Sequence, residues 1–300
     1  MADWRERFLE EQRLTPAYLR GATRYFEPLA AELAGRRRRR EGTLTVAVNG
    51  SQGSGKSTLC AYLREVLAHE HGLSCIDLSL DDFYLTRAER EALAAEVHPL
   101  LRTRGVPGTH DTGLLRETLK RLAGNGRVAV PRFSKADDDR LPAEQWSRVD
   151  APVDVVLLEG WCLGARSVAA AELSEPINEL ERDEDAQGRW RNYCNDRLRT
   201  HYEPLYDSFD CWVMLAAPAF EQVLRWRTEQ EEKLRIARGG AGSGLMDEAA
   251  LRRFVAHFER HTRHCLAQLP SRCDVVLSLD ERRSIVSLRG LPAPAAPPES

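Results

Sequence analysis

Apolar residues along this chain fall into two alternating kinds of run. Short apolar stretches at Leu44–Val48, Ser74–Leu80, Val128–Phe133, Val153–Leu158, Asp210–Ala216 and Asp274–Leu279 have the length expected of strands, the last of them closing the series. Between them, apolar residues recur at helical spacing over Thr58–His69, Thr86–Val97, Thr112–Ala123, Asn195–Phe209 apart from Pro204, Phe220–Arg238 and Asp247–Leu269. Trp4–Leu33 predicts one or two further helices ahead of the first strand. Val153–Leu158, broken only by Asp154, is apolar enough for a central parallel strand buried on both faces. Ala169–Gly188, acidic and polar, predicts a helix followed by a mobile loop, and LPAPAAPPES a disordered tail. The pattern predicts an α/β protein with a mostly parallel central sheet flanked by helices: a helical extension over 1–40, one domain over 41–290, and a tail over 291–300.

The first strand runs into the stretch LTVAVNGSQGSGKST, where Gly50, Gly53, Gly55, Lys56 and Ser57 complete the phosphate-loop pattern G-x-x-x-x-G-K-[ST]. Glycines let successive backbone N–H groups turn inward onto phosphate oxygens, Lys56 adds a point charge near the β- and γ-phosphates, and the Ser57 hydroxyl can ligate Mg²⁺. The helix that follows points its N-terminal dipole at the same anion. Strand before and helix after give the motif its required context, so Gly50, Ser51, Gly53, Ser54, Gly55, Lys56, Ser57 and Thr58 are the expected nucleotide-binding residues.

Composition narrows the picture more than it enlarges it. The formal net charge of -3 suggests neither nucleic acid nor an anionic membrane as partner. No apolar run approaches the roughly 20 residues of a membrane span, and MADWRERFLEEQ does not read as a signal peptide. Seven scattered cysteines show neither metal-ligand spacing nor a disulfide framework, which points to a reduced cytoplasmic setting. The five arginines Arg36–Arg40 read as a solvated linker, with added positive potential near a nucleotide as the alternative.

Other candidate chemistry sits at strand ends, where open α/β sheets bind ligands. Asp81 and Asp82 follow the second strand, and either can accept a hydroxyl proton during phosphoryl transfer or simply cap a helix. Arg102, Arg104, His110 and Asp111 give LLRTRGVPGTHD more charge than a connector needs, and Lys135 and Arg140 in SKADDDR are candidates for an anionic substrate, with a solvated loop as the alternative. Glu159 ends the apolar strand where phosphate-loop proteins place a second Mg²⁺ contact, directly or through water. WCLG, Trp161–Gly164, reads as a pocket wall or as plain packing. Arg225, Arg227, Lys233, Arg235 and Arg238, followed by GGAGSG, have the character of a closing lid whose arginines reach the phosphates, with an amphipathic surface helix as the alternative.

Taken together, G-x-x-G-S-G-K-S-T, S-L-D-D-F-Y-L-T, R-x-x-P-G-T-H-D, P-R-F-x-K, E-G-W-C-L-G and R-W-R-x-x-Q-E resemble the D-glycerate 3-kinases of plant and fungal type. These belong with uridine kinase, phosphoribulokinase and bacterial pantothenate kinase. The resemblance spans about Leu44 to Leu279 and implies the three-layer P-loop NTPase fold, ATP and Mg²⁺ as cofactors, Asp81 as catalytic carboxylate in preference to Asp82, and Glu159 as the acidic residue of the second catalytic strand. Arg140 falls where relatives carry an arginine, although SKADDDR is shorter than their K-S-x-x-G-x-G-D-R. The expected site therefore comprises catalytic Lys56, Asp81 and Glu159, metal-binding Ser57 and Glu159, nucleotide-binding Arg225 and Arg227 with the loop, and Asp82, Tyr84, Arg104, His110, Asp111 and Arg140 around a small hydroxy acid. A nucleoside or pantothenate is the alternative acceptor, and an ATP-binding regulatory protein the alternative class; oligomeric state is not legible.

Overall fold

A computed structural model of the chain describes residues 3–237 and 248–291. Ten strands occur among these: β1 Leu44–Gly50, β2 Cys75–Ser79, β3 Gly126–Val130, β4 Phe133–Ser134, β5 Asp139–Arg140, β6 Ser147–Ala151, β7 Val155–Gly160, β8 Cys211–Ala216, β9 Val275–Leu279 and β10 Ile285–Arg289. Six form the central sheet in the order β10-β9-β8-β1-β7-β2. All neighbours in it are parallel except β10, which runs antiparallel to β9.

Strand pleating sends alternate side chains to opposite faces, and helices cover both. Leu44, Val46 and Val48 of β1, with Val155 and Leu157 of β7, pack on the face covered by Lys56–His71 and the N-terminal helices through Leu29, Leu33, Tyr62 and Leu63. Ala47, Val156, Leu158 and Met214 face the other side, against Leu115, Leu122, Tyr202 and Leu269. This two-sided burial is why β7 reads as an unbroken apolar run. Ahead of the sheet, Trp4–Gln12, Ala17–Gly21 and Glu27–Arg38 are helical, the last two joined by a π-turn at Ala22–Phe26.

Three expectations about the elements change. The strand read at Val128–Phe133 is divided by Pro131, which lacks the N–H a continuing ladder needs; β3 pairs antiparallel with β6 outside the main sheet, and Phe133 begins the small β4–β5 hairpin. Asp274–Leu279 is not the last strand, because β10 follows it on the edge with a half-exposed pattern. The polar segment Ala169–Gly188 is anchored: it contains the helix Glu179–Glu184, Arg260 Nη2 meets buried Glu181 at 2.5 Å, and Arg191 meets buried Asp185 at 3.0 Å. The glycines of GGAGSG and residues 292–300 of the tail lie outside the described residues.

The arginine run is solvated only in part: Arg36, Arg37 and Arg38 end the helix Glu27–Arg38, Arg38, Arg39 and Arg40 are exposed, and the run lies away from the phosphate loop. Asp154, Asp210 and Asp274 stand immediately before β7, β8 and β9, at the edge of the sheet opposite the phosphate loop. Each accepts the N–H of a residue opening a neighbouring strand: Ser74 at 2.9 Å, Thr45 at 2.8 Å and Trp212 at 2.8 Å, respectively. Arg37 then meets Asp154 at 2.8 Å, Arg36 meets Asp274 at 2.9 Å, and Arg40 pairs with Asp210. These charge-assisted pairs tie the run to the edge of the sheet.

Candidate active site

Parallel pairing brings the chemistry to one edge. In register, Val48 of β1 lies beside Glu159 of β7, and Ser79 of β2 lies on Glu159's other side. The loop after β1, the carboxylate ending β7 and the aspartates after β2 must therefore converge.

The loop turns at Gly53 and Gly55, whose φ angles of 78° and 90° suit glycine alone without strain. Gly50 is tight for a different reason: a Cβ there would stand 2.6 Å from Ser54 Oγ. Lys56 opens the helix Lys56–His71, and its side chain, 16% exposed, approaches Glu159 Oε2 at 3.5 Å. Burial works against the Lys56 ammonium, but Glu159 and Asp81 more than offset it, so its pKa lies above the ordinary lysine value. Ser57 Oγ donates to Glu159 Oε1 at 2.8 Å, while Glu159 Oε2 is buried without a hydrogen-bond partner. Hydroxyl and carboxylate oxygens so placed suit a hard divalent cation that completes its shell with phosphate oxygens and water. Among the described residues no cluster of three or more His, Cys, Asp or Glu forms a metal cage.

A cleft of about 520 Å³ opens over this loop. Gln52, Gly53, Gly55, Lys56, Ser57 and Thr58 form its phosphate side. Asp81, Tyr84, Arg104 and Lys135 stand across it, with Arg227 and an aromatic wall of Trp161, Phe254 and Phe258 completing the lining. Asp81 Oδ2 meets Lys135 Nζ at 2.7 Å and Oδ1 accepts from the Tyr84 hydroxyl at 2.5 Å. Burial raises the Asp81 pKa, but the charges of Lys135 and Lys56 and the two hydrogen bonds outweigh it and hold the carboxyl down to about 2. An ionised acceptor thus stands opposite a cationic phosphate cradle, an arrangement able to take a proton from an alcohol aligned between them.

Other expected residues are placed differently. Asp82 is turned to structure: Arg132 Nη1 donates to one oxygen at 2.9 Å and the Phe133 N–H to the other at 3.1 Å. Burial raises its pKa against the pull of Arg132. His110 lies beneath Tyr84 with ring centroids 4.8 Å apart and Nδ1 2.6 Å from the Tyr202 hydroxyl. Burial pushes its pKa to about 4, so the imidazole is neutral at neutral pH. Asp111 caps the helix Thr112–Leu122 through the Leu114 N–H at 2.9 Å. Arg140 braces that corner, donating to the Tyr84 carbonyl at 2.7 Å and to Asp111 at 3.4 Å. Ser51 and Ser54 are buried within the loop, and Arg225 leans on Glu281 at 3.8 Å rather than on the cleft. Side chains of Lys233, Arg235 and Arg238 lie outside the described residues.

Three contributors escaped the sequence. Phe254 and Phe258 sit four apart on one helix, a spacing indistinguishable from ordinary core. Arg90, 1% exposed, donates to the carbonyls of Leu85, Arg102 and Asp138 at 3.2, 2.8 and 2.6 Å and so pins the loop carrying Arg104 to the β4–β5 hairpin. A charge on the apolar face shared with Leu93, Ala94 and Val97 was its available signal. Trp161 serves both readings offered for it, lining the cleft while Nε1 donates to the Gly105 carbonyl at 3.0 Å.

A model of the phosphoribulokinase/uridine kinase family matches residues 45–170. The chain is 32% identical over 228 residues to the uncharacterized kinase mug58 of Schizosaccharomyces pombe, covering 71% of this chain and 77% of that protein. It is 29% identical over 259 residues to the chloroplastic D-glycerate 3-kinase of Arabidopsis thaliana, covering 80% of this chain but only 53%, about half, of the plant protein's length. A solved D-glycerate 3-kinase from Cryptococcus neoformans var. grubii superposes with a TM-score of 0.72 at 27% identity, over 88% of this chain and 97% of that one. With that geometry and these relatives, the chain belongs to the phosphoribulokinase/uridine kinase family as an ATP-dependent, glycerate 3-kinase-like phosphate-loop kinase.

Proposed function

We propose that this kinase transfers the γ-phosphoryl group of ATP to D-glycerate, giving 3-phosphoglycerate, with Mg²⁺ as the accompanying cation. The observation that carries the reading is Asp81, which lines one cleft with Lys56 and Ser57 while Arg104 and Lys135 stand beside it. In this reading Asp81 accepts the substrate hydroxyl proton, and Lys56 with the loop amides holds the phosphates. Ser57 and Glu159 would hold Mg²⁺, which when bound neutralises charge on the phosphates; Glu159 Oε2, buried and met only by the 3.5 Å approach of Lys56, supports that assignment. Arg227, on the cleft wall, is positioned to offset charge developing in transfer. Arg104 offers the guanidinium fork that suits a small carboxylate. Residues 41–290 act as the kinase domain, with the helices before it as support. Seven free cysteines, six of them buried, suit a reducing compartment such as the cytosol.

A second reading rests on the aromatic wall of Trp161, Phe254 and Phe258, which would favour a ring-bearing acceptor of the uridine type. ADP release over a panel of D-glycerate, glycerol, uridine and pantothenate decides between them. D-Glycerate should be phosphorylated and glycerol, lacking the carboxylate, should be a far poorer acceptor. Turnover of uridine or pantothenate with D-glycerate inert would overturn the first reading; ATP binding with no acceptor turned over would favour a regulatory role.

A further inference from the structure

The turn between β9 and β10 touches the phosphate loop from behind, through a residue that no motif marks. It is closed tightly: the Asp280 N–H donates to Ser284 O at 2.9 Å, the Arg283 N–H to Asp280 O at 3.1 Å, and Asp280 Oδ1 accepts the N–H groups of Arg282 and Ser284 at 2.8 Å. Within it Arg283 adopts a left-handed φ of 67°, a conformation glycine or asparagine reaches at lower cost. An arginine kept there invites a reason in its side chain.

That side chain bridges two elements of the site. Arg283 Nε donates to the Gly53 carbonyl at 2.9 Å, and Nη2 donates to Glu229 at 2.8 Å. Its guanidinium lies 5.2 Å from the ring centre of Trp226, which is fully buried. Trp226 and Gln222 in turn hold the turn itself, donating to the Glu281 carbonyl at 2.8 and 3.1 Å. Trp226 and Glu229 belong to the helix Phe220–Ala237, which also delivers Arg227 to the cleft.

Gly53 needs such a restraint. Its missing Cβ permits the left-handed turn, and equally permits the peptide between Gly53 and Ser54 to flip. A flipped peptide would break the 3.2 Å bond from the Ser54 N–H to Ser51 O and turn a carbonyl dipole toward a phosphate. We infer that Arg283 is a positioning residue for the nucleotide phosphates: by holding the Gly53 carbonyl outward against the Trp226–Glu229 helix face, it fixes the phosphate loop in its anion-binding form.

The test measures nucleotide binding, so it does not depend on which acceptor is used. In Arg283→Ala, the Kd of a non-hydrolysable ATP analogue should rise about tenfold, the size of one lost charge-assisted hydrogen bond, and that of ADP should rise with it. The affinity for adenosine, which has no phosphate, should stay within twofold. Glu229→Gln, which keeps the Gly53 contact, should show a smaller rise of the same kind. If Arg283→Ala loses its fold, Arg283→Lys carries the same test, because its stem keeps the Trp226 contact while its ammonium lacks the two-pronged geometry. An unchanged ATP-analogue affinity in a folded variant, or adenosine affinity falling in parallel, would overturn the assignment.

Discussion

Lys135 Nζ stands 2.7 Å from Asp81 Oδ2, so the carboxylate facing the phosphate loop is ion-paired with the hairpin that follows it in sequence. With its pKa held near 2, Asp81 stays ionised across the physiological range. A carboxyl whose pKa is depressed keeps its charge until the pH falls through the lowered value, so Asp81 imposes no acid limb on activity near neutrality. Lys135→Met removes the strongest nearby charge. The acid limb of the kcat–pH profile should then move up by about one pH unit or more. A limb that does not move would show that the titrating group lies elsewhere.

The neighbouring aspartates should separate cleanly. Asp81→Asn is expected to lower kcat by roughly 10²–10⁴ while ATP affinity stays near its original value. Asp82→Asn should instead lower thermal stability, because it weakens the hold on Arg132 and the Phe133 N–H. Melting curves and steady-state kinetics on both variants read this directly, and the reverse pattern would exchange their roles.

Arg104 and Arg140 also part company. Arg104 lines the cleft and pairs with Asp138, whereas Arg140 braces Tyr84 and Asp111. Arg104→Ala should raise the acceptor KM by about tenfold or more with little change in the KM for ATP, as expected for a lost charge-assisted contact. Arg140→Ala should show its effect first in stability. Equal shifts in both KM values for Arg104→Ala would place it outside the acceptor site.

The arginines beneath the sheet should affect stability without touching catalysis. Partly exposed pairs contribute about 0–1 kcal/mol each, so replacing Arg36, Arg37 and Arg40 by Ala together should lower the melting temperature by several degrees, and less so in high salt. Their partners share in this. Burial raises the Asp154 pKa, but hydrogen bonds from Ser74 and the charge of Arg37 lower it overall. Its contribution is complete above the pKa of an unfolded aspartate and is lost as the pH falls through the lower folded value. An altered KM for ATP in the triple variant would contradict this separation of the two sheet edges.

What was legible in the sequence followed from local chemistry. The phosphate loop declares itself because each residue type serves one anion, and β7 declares itself because both of its faces are covered. The small antiparallel pieces were obscured by Pro131, and β10 by its exposed edge. Tertiary partnership was harder to read: nothing near Arg104 in sequence predicts Asp138, and a turn reading DERRS gives no hint that Arg283 reaches Gly53. The arginine run did have a legible counterpart, since an Asp stands just ahead of the apolar core of three strands, at 154, 210 and 274. Only the parallel order of those strands, however, places the three carboxylates in one row.

That row has a consequence for the order in which the molecule is completed. Arg36 and Asp274 are 238 residues apart, so a ribosome delivers the cation long before its partner exists. Asp154 arrives first, then Asp210, and Asp274 only once nearly the whole described chain has been made. Each arrival closes a longer loop than the one before, at an entropic cost that grows slowly with length. The three pairs thus tie one short arginine run to strands that lie progressively farther along the chain, so the fastening of this sheet edge is completed only when β9 is in place.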